Sequence, residues 1–390
     1  MNVRRLTQNE YFDSDTVSRL CFHSRTEIDE EAERVRPREE REDWGAFDDD
    51  GTLMAHIINN HYEANLNGRL VRMGGIGAVS TLPEYRSGGA IRAIFDRLLP
   101  YRRAEGETIS CLYPFKHSFY RKFGYETAAS VTSYEMRPQA LKGFTFDGKA
   151  RMYPNNCDAD DFLRVYEPFS KRYNLSVKRT SDMLKRSYLH EKPLAQRRFA
   201  YLLSARGADI AYVCFDDQWN EPAARLAVTD IAWTSPEGFR AILGFLARFE
   251  ADYGTIEMIL PTDINLKLLV PDAYEINAAK LNGNYMLRVV DVQRALETLV
   301  SSIRQPLCLR VYGDEIIKEN NGTWIIGPQG VQRTDAAPSI EMSLTALNQL
   351  ICGSTSFDNA LLRGDISVNA GSELYGDIFP ARPIFITDRF

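Results

Sequence analysis

The stretch Val71-Arg-Met-Gly-Gly-Ile-Gly-Ala-Val-Ser-Thr-Leu-Pro-Glu-Tyr-Arg-Ser-Gly-Gly-Ala-Ile-Arg-Ala-Ile-Phe-Asp-Arg-Leu-Leu99 decides the fold. It reads as a strand, a tight polar turn and an amphipathic helix. Met73 to Val79 is a small, apolar, glycine-bearing run suited to a buried strand, while Ile91, Ile94, Phe95, Leu98 and Leu99 recur at helical spacing. Between them lies Arg86-Ser-Gly-Gly-Ala90. A turn of this kind points several backbone N–H groups at one spot, and the positive end of the helix adds to their field. Such a spot suits a phosphate or pyrophosphate. The Gly-Lys-Ser/Thr of a P-loop and the Gly-x-Gly-x-x-Gly of a dinucleotide fold are both absent. A glycine-rich turn without a ligand remains the plain alternative.

With 390 residues, the chain calls for two or three domains. Hydrophobic residues make up 44% and charged residues 26%, the balance of a water-soluble globular protein. No apolar run approaches a membrane span, and Met1-Asn-Val-Arg-Arg-Leu-Thr7 lacks a secretory apolar core, so a cytoplasmic location without a membrane partner is expected. The cysteines at 21, 111, 157, 214, 308 and 352 show no Cys-x-x-Cys spacing, and neither a disulfide nor a metal is expected. A net charge of −6 disfavours nucleic acid and is compatible with cationic substrates.

Along the chain, a helix-start cluster at Asp13, Ser14 and Asp15 precedes a Glu/Arg-rich stretch from Glu27 to Asp43. That stretch reads as a solvated helix or loop, or as a mobile acidic wall of a cleft. A hairpin follows around Asp48-Asp-Asp-Gly51, and a second turn at Asn65-Leu-Asn-Gly68 leads into the central strand. Thr108 to Phe115 reads as another strand. Residues 142–156, rich in Gly, Lys, Pro and Asn, read as a linker. Leu226–Thr234, Pro236-Glu-Gly and Phe239–Phe249 then repeat the strand, turn and helix plan without the arginine and paired glycines. From Tyr285 onward, strands near 307–312, 324–326 and 339–343 and a helix over 344–352 form a third region.

Two segments carry a resemblance. The spacing of Val79, Pro83, Arg86 and Gly89 resembles the acetyl-CoA loop of GNAT N-acetyltransferases, Arg/Gln-x-x-Gly-x-Gly/Ala, with Ile91 replacing the final small residue. His117-Ser-Phe-Tyr120-Arg-Lys-Phe-Gly-Tyr125 resembles the second signature of the same family. The fold class is therefore read as α/β (α+β): two tandem GNAT folds followed by a sterol-carrier-protein-like α+β domain. Residues 1–149 form the catalytic GNAT domain, 150–286 a degenerate copy and 287–390 the sterol-carrier-like domain. This order is similar to that of the Eis (enhanced intracellular survival) acetyltransferases. The resemblance implies acetyl-CoA as cosubstrate, no metal, a small cationic amine as acceptor and a homohexamer.

N-acetyl transfer needs a neutral amine, whose pKa is ordinarily near 10.4 for a lysine-type group, and a proton for a departing thiolate, whose parent thiol lies near about 8.5. Tyr120 is the candidate acid, with simple core packing beside Phe119 and Phe123 as the alternative. The Eis resemblance implies that the terminal α-carboxylate, here of Phe390, is the base. A terminal strand tucked into the third domain is the alternative, and Asp388, His117 and Glu126 are substitute bases. For the cosubstrate, the backbone of Val79, Ser80 and Thr81 is expected to pair with the pantetheine arm. Arg86, Ser87, Gly88, Gly89, Ala90 and Ile91 are expected at the pyrophosphate with Arg92 as a further partner, and Phe115 and Lys116 map onto the remaining contact. Ser118 is placed near the sulfur, and Lys116 reads equally well as a solvated lysine. The activity expected is acetyl transfer to amines of polycations such as aminoglycosides. A lysine or peptide acetyltransferase, or a lipid-binding scaffold with vestigial GNAT units, is the alternative.

Overall fold

Strands β1 (Asn2–Arg5), β2 (Arg41–Phe47), β3 (Leu53–Leu66), β4 (Arg69–Thr81) and β5 (Ile109–Leu112) lie in that order in one sheet. The computed structural model describes residues 1–25, 29–31, 38, 40–219, 224–371 and 375–390. Each hairpin follows from its turn chemistry. Asp48 accepts from the N–H of Asp50 and Thr52 between β2 and β3, and Asn67 (φ 54°) with Gly68 (φ 80°) supplies the two left-handed positions between β3 and β4. Helix Ala90–Ala104 buries Ile94, Phe95, Leu98 and Leu99 completely against this sheet. Each such side chain contributes about 1.5–3 kcal/mol on leaving water.

The strand expected over 108–115 is shorter, ending at Leu112. Pro114 has no N–H to continue the ladder, and the chain turns into helix His117–Arg121. Much of the Glu/Arg-rich stretch at 27–37 lies outside the described residues. Its described end is not simply solvated: Arg38 donates to the buried Asp43 at 2.6 Å, and Arg41 to the same carboxylate at 3.1 Å.

The chain divides into two units. The first is Met1–Ala129 with Asn284–Arg382 and Asp388–Phe390; the second is Ser130–Gly283 with Pro383–Thr387. In the second unit, residues 131–136 of β6 (Glu126–Met136) pair with a strand later in sequence. β7 (Lys149–Met152), β8 (Arg198–Ala205), β9 (Ala208–Gln218), β10 (Arg225–Trp233) and β11 (Thr255–Pro261) complete its sheet in the order β6-β11-β10-β9-β8-β7. Residues 142–156, read as a linker, therefore contain an edge strand. Helices Ala159–Ser170 and Pro236–Ala247 cover this sheet around Phe162, Phe169, Tyr212 and Phe245.

In the first unit, Met286–Val289 of β12 (Ile276–Val289) run antiparallel beside β5. Here too lies a smaller sheet of β13 (Leu307–Tyr312), β14 (Gly322–Gly327), β15 (Gly330–Arg333), β16 (Ile340–Ser343) and β17 (Ile366–Val368), in the order β15-β14-β13-β16-β17, with helix Leu344–Cys352. Among the described residues no helix is long and apolar enough to cross a membrane.

A charged cluster is buried in the first unit. Glu107, fully enclosed, accepts from Arg102 Nε at 2.9 Å and Asn59 Nδ2 at 3.3 Å, both through Oε2. Among the described residues its Oε1 has no partner, nor has Asn59 Oδ1, and both oxygens crowd Gly74, where a Cβ would lie 2.2 Å from the first and 2.4 Å from the second. Burial pushes the Glu107 carboxyl up to about 7, against the pull of Arg102 and Asn59. The unfolded chain sheds this proton near 4.5 while the folded chain retains it to about 7, so stability is full below 4.5 and declines as pH rises through that window. Urea midpoints of Glu107→Gln are expected to lose most of this decline between pH 5 and pH 8; an unchanged slope would place the pH dependence elsewhere.

Candidate active site

β3 and β4 fall out of step midway along their ladder. His56 pairs with Ser80 but Ile58 with Gly77, so Ala78 and Val79 together face Ile57. Ala78 takes φ +49° to make this bulge, and a bulge bends its strand. The parallel pairing of β4 with β5 covers only Met73–Ile76 against Ile109–Leu112. Beyond it, Gly77 to Thr81 have no β5 partner, and an extended amide-bearing chain can pair there. Val79 and Thr81 are half-buried. The Ser80 side chain turns inward, 3.4 Å from Ser18 Oγ, leaving Ser80 only its backbone to offer.

The Arg86–Ala90 turn leads from this edge into the helix. Ser87 (φ +67°) and Gly89 (φ +83°) are left-handed, and Gly89 is the N-cap of helix Ala90–Ala104 with no side-chain cap. The first N–H groups of a helix have no partner within it. Here they open beside exposed Arg86, Ser87, Gly88 and Gly89, with nothing within 4 Å of a Cβ built on Gly89. The arrangement fits a pyrophosphate. Ala90 and Ile91 are buried in the core and can contribute only their backbone N–H groups. Arg92 is already engaged, 3.8 Å from Asp96 and 3.6 Å from Glu315.

Tyr120 sits in helix His117–Arg121, just past the end of β5. Its ring is 3% exposed and packs at 5.4 Å from Phe115 and 5.1 Å from Phe119, so the ring is part of the core. Among the described residues its hydroxyl has no hydrogen-bond partner. Burial raises the phenol above its ordinary range. Phe115 is 69% exposed, Lys116 and Ser118 are exposed, and His117 is half-buried.

Phe390 lies against β4. A Cβ on Gly75 would come within 2.6 Å of its ring, and one on Gly77 within 2.8 Å of its carboxyl carbon. These two glycines share one face of the strand and make the seat. The Phe390 ring meets Tyr62 at 5.3 Å and Tyr285 at 6.0 Å, while the Tyr285 hydroxyl donates to Asp388 O at 2.8 Å. Tyr62, Gly75, Gly77 and Tyr285 were not among the residues singled out from the sequence; glycines two apart in an apolar strand were the available signal. Residues 384–387 pack in the second unit, Ser176 donating to Phe385 O and Arg179 to Thr387 Oγ1, and not in the third domain. Of the substitute bases, Asp388 is 7% exposed. Glu126 is tied up: burial raises its pKa, but Arg121 at 2.7 Å, the Thr127 N–H at 2.8 Å and Arg363 together hold it below the ordinary range.

The corresponding turn of the second unit is closed. Ser235 Oγ accepts from Gly238 N, capping helix Pro236–Ala247 with its own side chain, and a Cβ on Gly238 would meet Ile210 O at 2.2 Å.

Comparison with known families matches three regions of the chain. Residues 2–128 and 175–289 each match the Acetyltransferase (GNAT) domain, and residues 292–386 match the Sterol carrier protein domain. The chain is a GNAT N-acetyltransferase. Acetyltransferases of this fold use acetyl-CoA, and the open turn of the first domain fits it. No curated protein matches the acetyltransferase in sequence. Its fold is similar to that of a probable N-acyltransferase of Enterococcus faecalis V583 (19% identity, TM-score 0.88, covering 100% of this chain and 99% of the other). It is similar as well to Eis1 of Mycobacterium abscessus (21%, 0.81, 100% of both chains) and to a GCN5-related N-acetyltransferase of Anabaena variabilis ATCC 29413 (20%, 0.84, 100% of both).

Proposed function

We propose that this is an Eis-like enzyme, acting in the cytoplasm as a homohexamer, that transfers acetyl from acetyl-CoA to amines of small polycations such as aminoglycosides. The observation that carries the reading is the Phe390 carboxyl seated on Gly77, where β4 has lost its β5 partner. In this reading the Phe390 carboxylate takes the proton from the acceptor ammonium. The freed nitrogen forms the C–N bond as the C–S bond breaks, Tyr120 protonates the departing sulfur, and the second proton shed by the acylated nitrogen restores the phenol. The Gly77–Thr81 backbone holds the pantetheine, and the Arg86–Arg92 segment, with Phe115 and Lys116 nearby, holds the phosphates.

Thiol release from acetyl-CoA with a panel of aminoglycosides, spermine and a lysine peptide tests the proposal. Turnover with tobramycin above that with the peptide supports it; turnover only with the peptide moves the assignment to a peptide acetyltransferase. Silence with every amine, together with fluorescent-lipid binding, would favour a lipid-binding scaffold. Gly89→Ala places a Cβ at φ +83°, a conformation costing about 1–2 kcal/mol for an L residue, and is expected to raise the acetyl-CoA KM several-fold. Steady-state kinetics at saturating amine reads this directly, and an unchanged KM would detach the turn from the cosubstrate.

A further inference from the structure

The turn that follows Tyr120 is held from β12 and from the sterol carrier domain. Tyr120 O accepts from Phe123 N at 2.9 Å and from Tyr125 N at 3.4 Å, which ties the turn to the helix bearing the phenol. The carbonyls of Phe123 and Gly124 then point away from the turn and require partners. Phe123 O accepts from Arg288 Nη1, and Gly124 O from Asn348 Nδ2 at 2.8 Å. Asn348 lies in helix Leu344–Cys352, and its Oδ1 accepts from Val289 N at 2.9 Å, so one amide joins the turn to β12.

Both donors are enclosed, Arg288 at 1% and Asn348 at 0% exposure. The Asp314 carboxylate grips Arg288 through two contacts at 2.7 and 2.8 Å and itself accepts from Ile316 N, Ile317 N and Asn320 Nδ2. Gly124 stands at φ +79°, and a Cβ there would reach 1.9 Å from Arg288 Nη1, so the turn admits no side chain. A buried ion pair rarely adds net stability over an apolar replacement of the same volume. What it adds here is direction: it fixes two consecutive carbonyls of one turn.

We propose that Asn348 and the Arg288–Asp314 pair are positioning residues that set the orientation of the Tyr120 phenol, making the sterol carrier domain a working part of the transferase site. The inference rests on Tyr120 being the acid of the reaction. None of these hydrogen bonds involves the Arg86–Ala90 turn, so an effect on the phenol separates from one on the cosubstrate.

The test uses the full chain labelled with 3-fluorotyrosine. Fluorine NMR assigns Tyr120 by the signal lost in Tyr120→Phe, with Tyr212 of the second unit as an internal reference. In Asn348→Leu, which keeps the volume but loses both hydrogen bonds, the Tyr120 signal is expected to shift or broaden while that of Tyr212 stays in place. Tobramycin or spermine turnover is expected to fall about tenfold in kcat with the acetyl-CoA KM unchanged, the signature of a displaced reacting group. Added to Tyr120→Phe, the same substitution is expected to cost nothing further in kcat. A Tyr120 signal and kcat both unmoved, with only a lower Tm, would overturn the proposal. If Asn348→Leu does not fold, Asn348→Ser, which leaves no apolar carbon against the Gly124 carbonyl and the Val289 N–H, is read by the same spectra. Full activity of Tyr120→Phe itself would instead overturn the assignment of the acid, and the NMR result would still report whether Asn348 sets that ring.

Discussion

Tyr120→Phe is expected to lower kcat by about 100-fold or more, the usual worth of a positioned general acid. The change removes one oxygen and keeps the ring among Phe115, Phe119 and Tyr125. Because the hydroxyl has no hydrogen-bond partner among the described residues, its loss leaves nothing unsatisfied, and Tm should hold or rise slightly. Burial lifts the phenol above its ordinary value of 10.0, so it stays protonated throughout the neutral range and no loss of activity below pH 10 is expected from its ionisation. Acetyl-CoA affinity, measured by calorimetry, should not change. A variant within threefold of the parent would rule out the phenol and turn attention to half-buried His117 and exposed Ser118.

Appending three residues after Phe390 is expected to reduce turnover by a comparable factor while leaving acetyl-CoA binding intact. The extension turns a carboxylate into an amide, which cannot accept the ammonium proton, and adds bulk where Gly75 and Gly77 already fit Phe390 within 2.6 and 2.8 Å of a would-be Cβ. Charge and displacement are separated by a companion variant. Gly77→Ala preserves the carboxylate but pushes it off its seat, so a large effect of both changes points to position as well as charge. Thiol release, calorimetry and melting curves on the three proteins check this. Equal turnover by the extended chain would exclude Phe390 and leave enclosed Asp388 as the next candidate, since Glu126 is neutralised by Arg121 and Arg363.

What could be read from the sequence was what short segments specify by themselves. The turn from Arg86 to Ala90, the amphipathic helix after it, the second signature around Tyr120 and the unpunctuated copy near Pro236 each announce themselves within about a dozen residues. The pairings that complete the site are long-range. Nothing in Tyr285-Met-Leu-Arg-Val-Val290 says that it runs beside β5, because an apolar strand looks alike whichever neighbour it takes. The end of β5 at Leu112 was signalled by Pro114 but masked by the apolar residues around it. Asn348 had a signal of its own, an amide in the middle of the apolar run Leu344–Cys352, which a helix buries only for a reason. The aromatic seat of Phe390 was foreshadowed by Gly75 and Gly77, yet their partners Tyr62 and Tyr285 could not be found without the fold.

The hydroxyl of Ser235 carries a consequence for stoichiometry. By accepting the Gly238 N–H that an outside anion would otherwise accept, it satisfies one helix-start donor of the duplicate domain from within, and one bound acetyl-CoA per chain is the expected result by calorimetry. Grafting the arginine and glycines of the first turn would leave that internal cap in place, and Gly238 lies too close to the Ile210 carbonyl to take a side chain.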